Sequence, residues 1–207
     1  LRPPPRHLGL LASAEVAGRW AEPSACAGFT VGGLAAHLGW QVQSARWAVE
    51  SERPQDGAVV TALAAHYEQA AWVGADLDTP VNRGIVETGE TRAEQGPAEV
   101  LRLTREAREY LAECFGRLSP EEVIAMPWIE GRAMTLNDVL TTRVLELVIH
   151  TDDLAASVGL ETPPATESAY ERVFALLIPL AARRHGPVAL LRALSRAERA
   201  PESVSAF

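Results

Sequence analysis

Apolar residues recur at helical spacing along most of the chain, and short polar or Gly- and Pro-containing stretches separate the runs. Leu8, Leu11 and Val16 share one side of a first predicted helix from Arg6 to Trp20, and Glu22 to Gly28 reads as a loop. A second helix starts at Thr30, a good N-cap, and runs to Ser51. Its Val31, Leu34, Leu38, Val42, Ala45 and Val49 form one arc, with His37 on the edge. After a polar turn to Gly57, an Ala-rich third helix is expected from Ala58 to Val73, with Leu63, His66, Tyr67 and Trp72 as its larger residues. Gly74 to Gly96 has no clear period and predicts a long loop, the kind of segment that often serves as a lid.

Pro97 opens a fourth helix to Leu118, with Leu101, Leu111 and Phe115 facing inward. Ser119 to Glu122 restarts a short helical turn, and Met126 to Met134, with Pro127, Trp128 and Gly131, reads as an extended loop. The longest helix spans Thr135 to Gly159, with Thr135 or Asn137 to cap it and Gly159 to stop it. A last long helix runs from Thr166 to Arg184, kinked near Pro179. There is no internal repeat. The pattern predicts an all-α protein, an antiparallel four-helix bundle with additional short helices and long loops over residues 1–185. Residues 186–207 would form a C-terminal tail or short helix.

The Thr135–Gly159 helix carries the chemistry. Val144, Leu145, Leu147, Val148 and Ile149 cover almost every direction around it, so it belongs inside a bundle. Glu146 and His150, one turn apart, emerge from the same face, and Arg143, Asp153 and Ser157 extend that polar strip. An unpaired carboxylate there would cost roughly several kcal/mol. A divalent metal would compensate it, since Glu oxygen and His nitrogen are ordinary zinc ligands and a catalytic zinc takes three protein ligands plus an open position. A buried Glu–His or Glu–Arg143 hydrogen bond in a structural bundle would do so as well. A third ligand has to come from elsewhere in the chain.

Composition narrows the partners. The chain has 207 residues, 47% of them hydrophobic, enough for a core without disulfides. A net charge of -8 and a pI near 5.2 argue against nucleic acid or an anionic membrane as main partner. Neither Cys26 nor Cys114 lies in a metal-type spacing, and a reducing cytoplasm fits best. No apolar run reaches transmembrane length, and the start at Leu1, without an initiator Met, reads as a trimmed N-terminus lacking a signal peptide.

There are five histidines. His7 lies in the proline-rich start, His185 at an Arg-rich helix end, and His66 reads as a partly buried structural residue. His37, beside Leu34 and Leu38 on a helix that must pack, is the first choice for the third ligand.

Two stretches, Phe29-Thr-Val-Gly-Gly-Leu-Ala-Ala-His37-Leu and Arg143-Val-Leu-Glu146-Leu-Val-Ile-His150-Thr-Asp-Asp153-Leu-Ala, resemble the mycothiol-dependent maleylpyruvate isomerase family of the DinB-like metalloenzyme superfamily. The tail from Ala189 to Pro201 also looks like actinobacterial members of this group. The resemblance implies a DinB-like bundle with a divalent metal, usually zinc, on His37, Glu146 and His150. Mycothiol would be the co-substrate, its thiol activated by the metal for addition to a small electrophile. Arg143 on the Glu146 face is then a candidate to bind a carboxylate, or else a salt-bridge partner. Asp153 is a candidate to orient a ligand histidine, or else a surface charge. The family's isomerase has a separate C-terminal domain that contributes an active-site arginine. This chain ends too soon to hold one, so the expectation shifts towards thiol S-transfer or another electrophile. The loops at 74–96 and 126–134 are candidates to shape the pocket. Metal-dependent hydrolysis and a non-catalytic metal- or small-molecule-binding bundle stand as alternatives, and exposed apolar faces make a homodimer a reasonable assembly.

Overall fold

The computed structural model describes residues 6–51, 54, 56–126 and 129–207, so Leu1 to Pro5, part of the polar turn before Gly57, and Pro127 and Trp128 lie outside the described residues. The chain is an all-α, DinB-like helical bundle with one small sheet. Helices α1 (Arg6–Leu11) and α2 (Ala14–Gly18) precede α3 (Val31–Glu50), and α4 (Leu63–Glu68), α5 (Pro80–Ala93) and α6 (Gly96–Cys114) follow. Then come α7 (Leu136–Val158), α8 (Glu167–His185) and α9 (Pro187–Ser195). Strands β1 (Val59–Val60), β2 (Val123–Ala125) and β3 (Arg132–Thr135) form a sheet in the order β1-β3-β2. β1 runs parallel to β3, with Val59 opposite Arg132, and β2 runs antiparallel, with Ile124 opposite Met134.

Local chemistry sets the three long helices that matter most. Thr30, Thr135 and Thr166 each accept a hydrogen bond at Oγ1 from a backbone N–H three residues on, at the starts of α3, α7 and α8. Gly159 ends α7 in the left-handed region at φ 71°, where a side chain would be strained. α8 runs through Pro179 without a break. At the centre, α3 packs against α5, α6 and α7. Leu34, Leu38, Leu154 and Ala155, all fully buried, join α3 to the second half of α7. Leu145 packs with Tyr67 of α4 and with Val173, Leu176 and Leu180 of α8.

Four expected elements differ. The first helix breaks at Ala12, and Ser13 caps a separate α2 by accepting the Val16 N–H. The Ala58–Val73 helix is reduced to α4, because Val59 and Val60, β-branched and extended, add a strand to the sheet instead. The long loop expected at Gly74 to Gly96 is mostly α5, which docks on α3. Met126 to Met134 ends in β3, whose Ala133 and Met134 are wholly buried.

The reason α5 can dock so closely is glycine on both sides. A Cβ on Gly89 would sit 2.6 Å from the Phe29 ring and 3.0 Å from the Gly33 carbonyl oxygen. A Cβ on Gly33 would collide with the Glu90 carboxylate. That carboxylate accepts from the Thr30 N–H at 2.7 Å and from the Thr30 hydroxyl at 2.8 Å. It thus adds a negative charge at the N-terminus of α3, where the helix dipole favours one. α5 therefore braces the first turns of α3, the helix that carries His37.

Candidate metal centre

α3 and α7 pack so that His37 faces the Glu146–His150 turn. Nε2 of His37 and Nε2 of His150 each lie 3.3 Å from the same atom, Oε2 of Glu146. The two rings meet edge to face at 87°, with centroids 4.9 Å apart. The three side chains are 15%, 17% and 17% exposed. Two imidazole nitrogens and a carboxylate oxygen, all within 4.8 Å of one another, make a donor set that a divalent cation fits. The residues that the sequence selects as ligands are thus brought together.

Burial penalises the charge on Glu146, but hydrogen bonds from His150 and His37 and the positive charges of His150 and Arg143 outweigh it and hold its carboxyl far below the usual range. The two histidines respond in opposite ways. Burial dominates at His37 and lowers its pKa despite the Glu146 hydrogen bond. Burial acts downward on His150 too, but hydrogen bonds with Asp153, Cys26 and Glu146 raise it well above the ordinary value.

Asp153 lies one turn beyond His150, and its Oδ2 is 2.9 Å from His150 Nδ1. A carboxylate only accepts, so Nδ1 carries the proton and Nε2 is turned to the Glu146 side. Arg143 lies partly buried at the α3–α7 contact. Its Nη1 donates to Gln41 Oε1 at 2.6 Å and to Ser44 Oγ at 3.5 Å, and its Nε donates to Thr142 Oγ1 at 3.0 Å. Burial lowers its pKa, and the charge of Glu146 acts against that.

Gln41 and Cys26 also belong to the site, and sequence reading does not single them out. Gln41 is only 1% exposed, and its Nε2 lies 3.0 Å from His37 Nε2. The signal was there, since Gln41 follows His37 by one turn just as His150 follows Glu146. Cys26 had no such signal. It reaches His150 because Ala25 N–H donates to Ser157 Oγ at 2.8 Å, tying the 22–28 loop to α7. Cys26, His150 and Asp153 thereby form a second group of converging donor atoms. His66, half-buried on α4 and edge-on to Tyr67, has its pKa lowered by burial and by the charges of Arg143 and Arg132, so it feels the rim of the same site. His185 bonds the Ser205 carbonyl at the other end of α8.

The two candidate pocket segments are built as follows. α5 braces α3, and Arg132 of the 126–134 segment bonds Gln69 Oε1 at 2.7 Å and Thr61 Oγ1 at 3.2 Å. A groove of about 380 Å³ lies between α4, α7 and α8, lined by Leu63, Asn137, Thr141, Arg172 and Leu180 among others. On α7, Asn137 and Thr141 sit roughly 140–180° around the helix from Glu146, so this groove is not the metal centre.

Two histidines and a glutamate thus converge from facing helices of a bundle, a donor set that could hold a metal ion. Residues 6–155 match the family model of the mycothiol maleylpyruvate isomerase N-terminal domain, and the chain belongs to that family. The match covers α1 to most of α7, including all three converging side chains. Neither the curated proteins nor the solved structures provide a match. Among the described residues no helix is long and apolar enough to cross a membrane.

Proposed function

We propose that the chain is a divalent-metal-dependent enzyme, zinc being the preferred ion, that uses mycothiol as co-substrate in an S-transfer or isomerisation on a small electrophile. The observation that carries this reading is the convergence of His37, Glu146 and His150 in a chain of the mycothiol maleylpyruvate isomerase family. Bound there, a zinc ion supplies Lewis acidity that favours thiolate over thiol near neutral pH. The protein's own part is preorganisation. Glu146 is held ionised, so it offers a charged oxygen without first losing a proton. Asp153 keeps the His150 proton on Nδ1 and leaves Nε2 to the centre. Arg143 places a partly buried positive charge one turn before Glu146, suited to drawing an anionic co-substrate or a substrate carboxylate towards the site.

Elemental analysis of the purified protein, alone and as His37→Ala and Glu146→Ala, tests the metal. About one divalent ion per chain, lost in both folded variants, is the expected result. Absence of metal from the zinc-treated wild type would sink the mechanism. Turnover of an electrophile such as maleylpyruvate that requires added mycothiol tests the chemistry. Turnover with metal and water alone would place the protein among hydrolases.

A further inference from the structure

We propose that Gln41 is the hydrogen-bond donor that the centre offers to an anionic ligand at the cation's open position, a thiolate sulfur above all, and that Arg143 is the positioning residue that aims it. The inference rests on the metal-site reading above and adds a residue that neither the family match nor the convergence of ligands assigns.

The orientation of the Gln41 amide is decided by chemistry. Arginine has only donors, so the atom 2.6 Å from Arg143 Nη1 must be the Gln41 oxygen. The NH₂ group then faces His37. One of its hydrogens can go to the His37 carbonyl oxygen at 3.2 Å, and the other is directed at His37 Nε2 at 3.0 Å. That nitrogen also faces Glu146 Oε2 at 3.3 Å. The two neighbours make opposite demands on it. Glu146 wants a proton there, whereas Gln41 wants a lone pair. Both demands lapse once the lone pair of Nε2 and the charge of Glu146 are directed at a cation.

The consequence falls on Gln41. A nitrogen that ligates a cation accepts no hydrogen bond, so the second N–H of a side chain that is 1% exposed needs another acceptor. Three protein ligands leave one coordination position open, and an atom held there beside His37 supplies that acceptor. Charge favours an anion. A divalent cation and Arg143 together would carry three positive charges against the two carboxylates of Glu146 and Asp153, which leaves the centre net positive. The guanidinium bonded to the Gln41 oxygen also polarises the amide and strengthens its N–H as a donor.

Protein loaded with Co(II), whose visible spectrum reports coordination, should be titrated with azide and separately with N-acetylcysteine. Gln41→Glu keeps an acceptor for Arg143 and removes the donor. It should retain one Co(II) per chain and the wild-type unfolding midpoint, and bind both ligands about tenfold or more weakly. Arg143→Met, which frees the amide to rotate, should also weaken both, and Arg143→Lys should restore part of the loss. Wild-type affinity in Gln41→Glu would overturn the donor role, and wild-type affinity in Arg143→Met would overturn the positioning role. A wild type that binds neither ligand would overturn the whole inference. Binding of azide without thiol would leave Gln41 to be judged on the azide series while the mycothiol reading fails.

Discussion

His37 and His150 present the same ring nitrogen to the same carboxylate oxygen at the same distance, yet the protein holds them by different means. His150 is held from within its own helix. Asp153, three residues on, fixes its proton, and Ser157 on the same strip ties down the loop that brings Cys26 alongside. His37 has no second carboxylate among the described residues. It is placed by packing, with the Phe29 ring 5.5 Å away and α5 wedged through Gly89 against α3. His150 therefore has a second carboxylate from its own helix and a cysteine from a distant loop, whereas His37 has the neutral Gln41 one turn on and the packing of Phe29 and α5. Their opposite pKa shifts are the electrostatic record of that difference.

Removing either ring should erase the difference. His150→Ala, like His37→Ala, is expected to weaken divalent-ion binding by more than the roughly 10–100-fold typical of outer-shell changes, as read by competition with a chromophoric chelator. Near-native affinity in only one of them would show that the two are not equivalent ligands. Asp153→Asn should act on the His150 side alone. An amide can turn its NH₂ towards Nδ1 and push the proton to Nε2, so metal affinity should fall about 10–100-fold while the fold is unchanged. Nitrogen-15 chemical shifts of the histidines in the metal-free variant would show the tautomer, and an unmoved His150 would count against the orienting role.

The His37 side should instead break through packing. Gly89→Ala forces a Cβ against the Phe29 ring and the Gly33 backbone, and should destabilise the fold by about 1–3 kcal/mol in urea titration. A neutral result would mean that α5 does not brace α3.

The smallest effect is in pH, because the two histidines oppose each other. In the metal-free protein His150 is raised above 6.5, so its contribution to stability is complete below that value and is lost as pH rises through the higher folded pKa. His37 is lowered, so folding opposes its protonation. Its contribution is complete above 6.5 and is lost as pH falls towards the lower folded pKa. Unfolding curves across this range should therefore show His150→Gln weakening the decline on the alkaline side and His37→Gln weakening the decline on the acid side. The same sign for both would contradict the opposed environments.

What could be read from the chain alone was whatever a single element carries. Thr135 and Gly159 bound α7, and the one-turn spacing of Glu146 and His150 places both on one face, because cap geometry and helical period depend only on neighbours in sequence. The family resemblance, carried by the stretches around His37 and Glu146–His150, was legible for the same reason. α5 was not legible. Of its residues only Gly89 and Ala93 are buried, and it docks through a missing side chain and a carboxylate rather than an apolar stripe, so no hydrophobic period marks it. Val59 and Val60 could not be read as a strand until β3 lay beside them, where Val59 N–H donates to the Gly131 carbonyl and Thr61 N–H to that of Ala133. Only the tertiary structure decided that Arg143 donates to Gln41, and that a loop cysteine meets His150. Those contacts join residues more than a hundred positions apart, and a pairing at that range is set by how the helices pack.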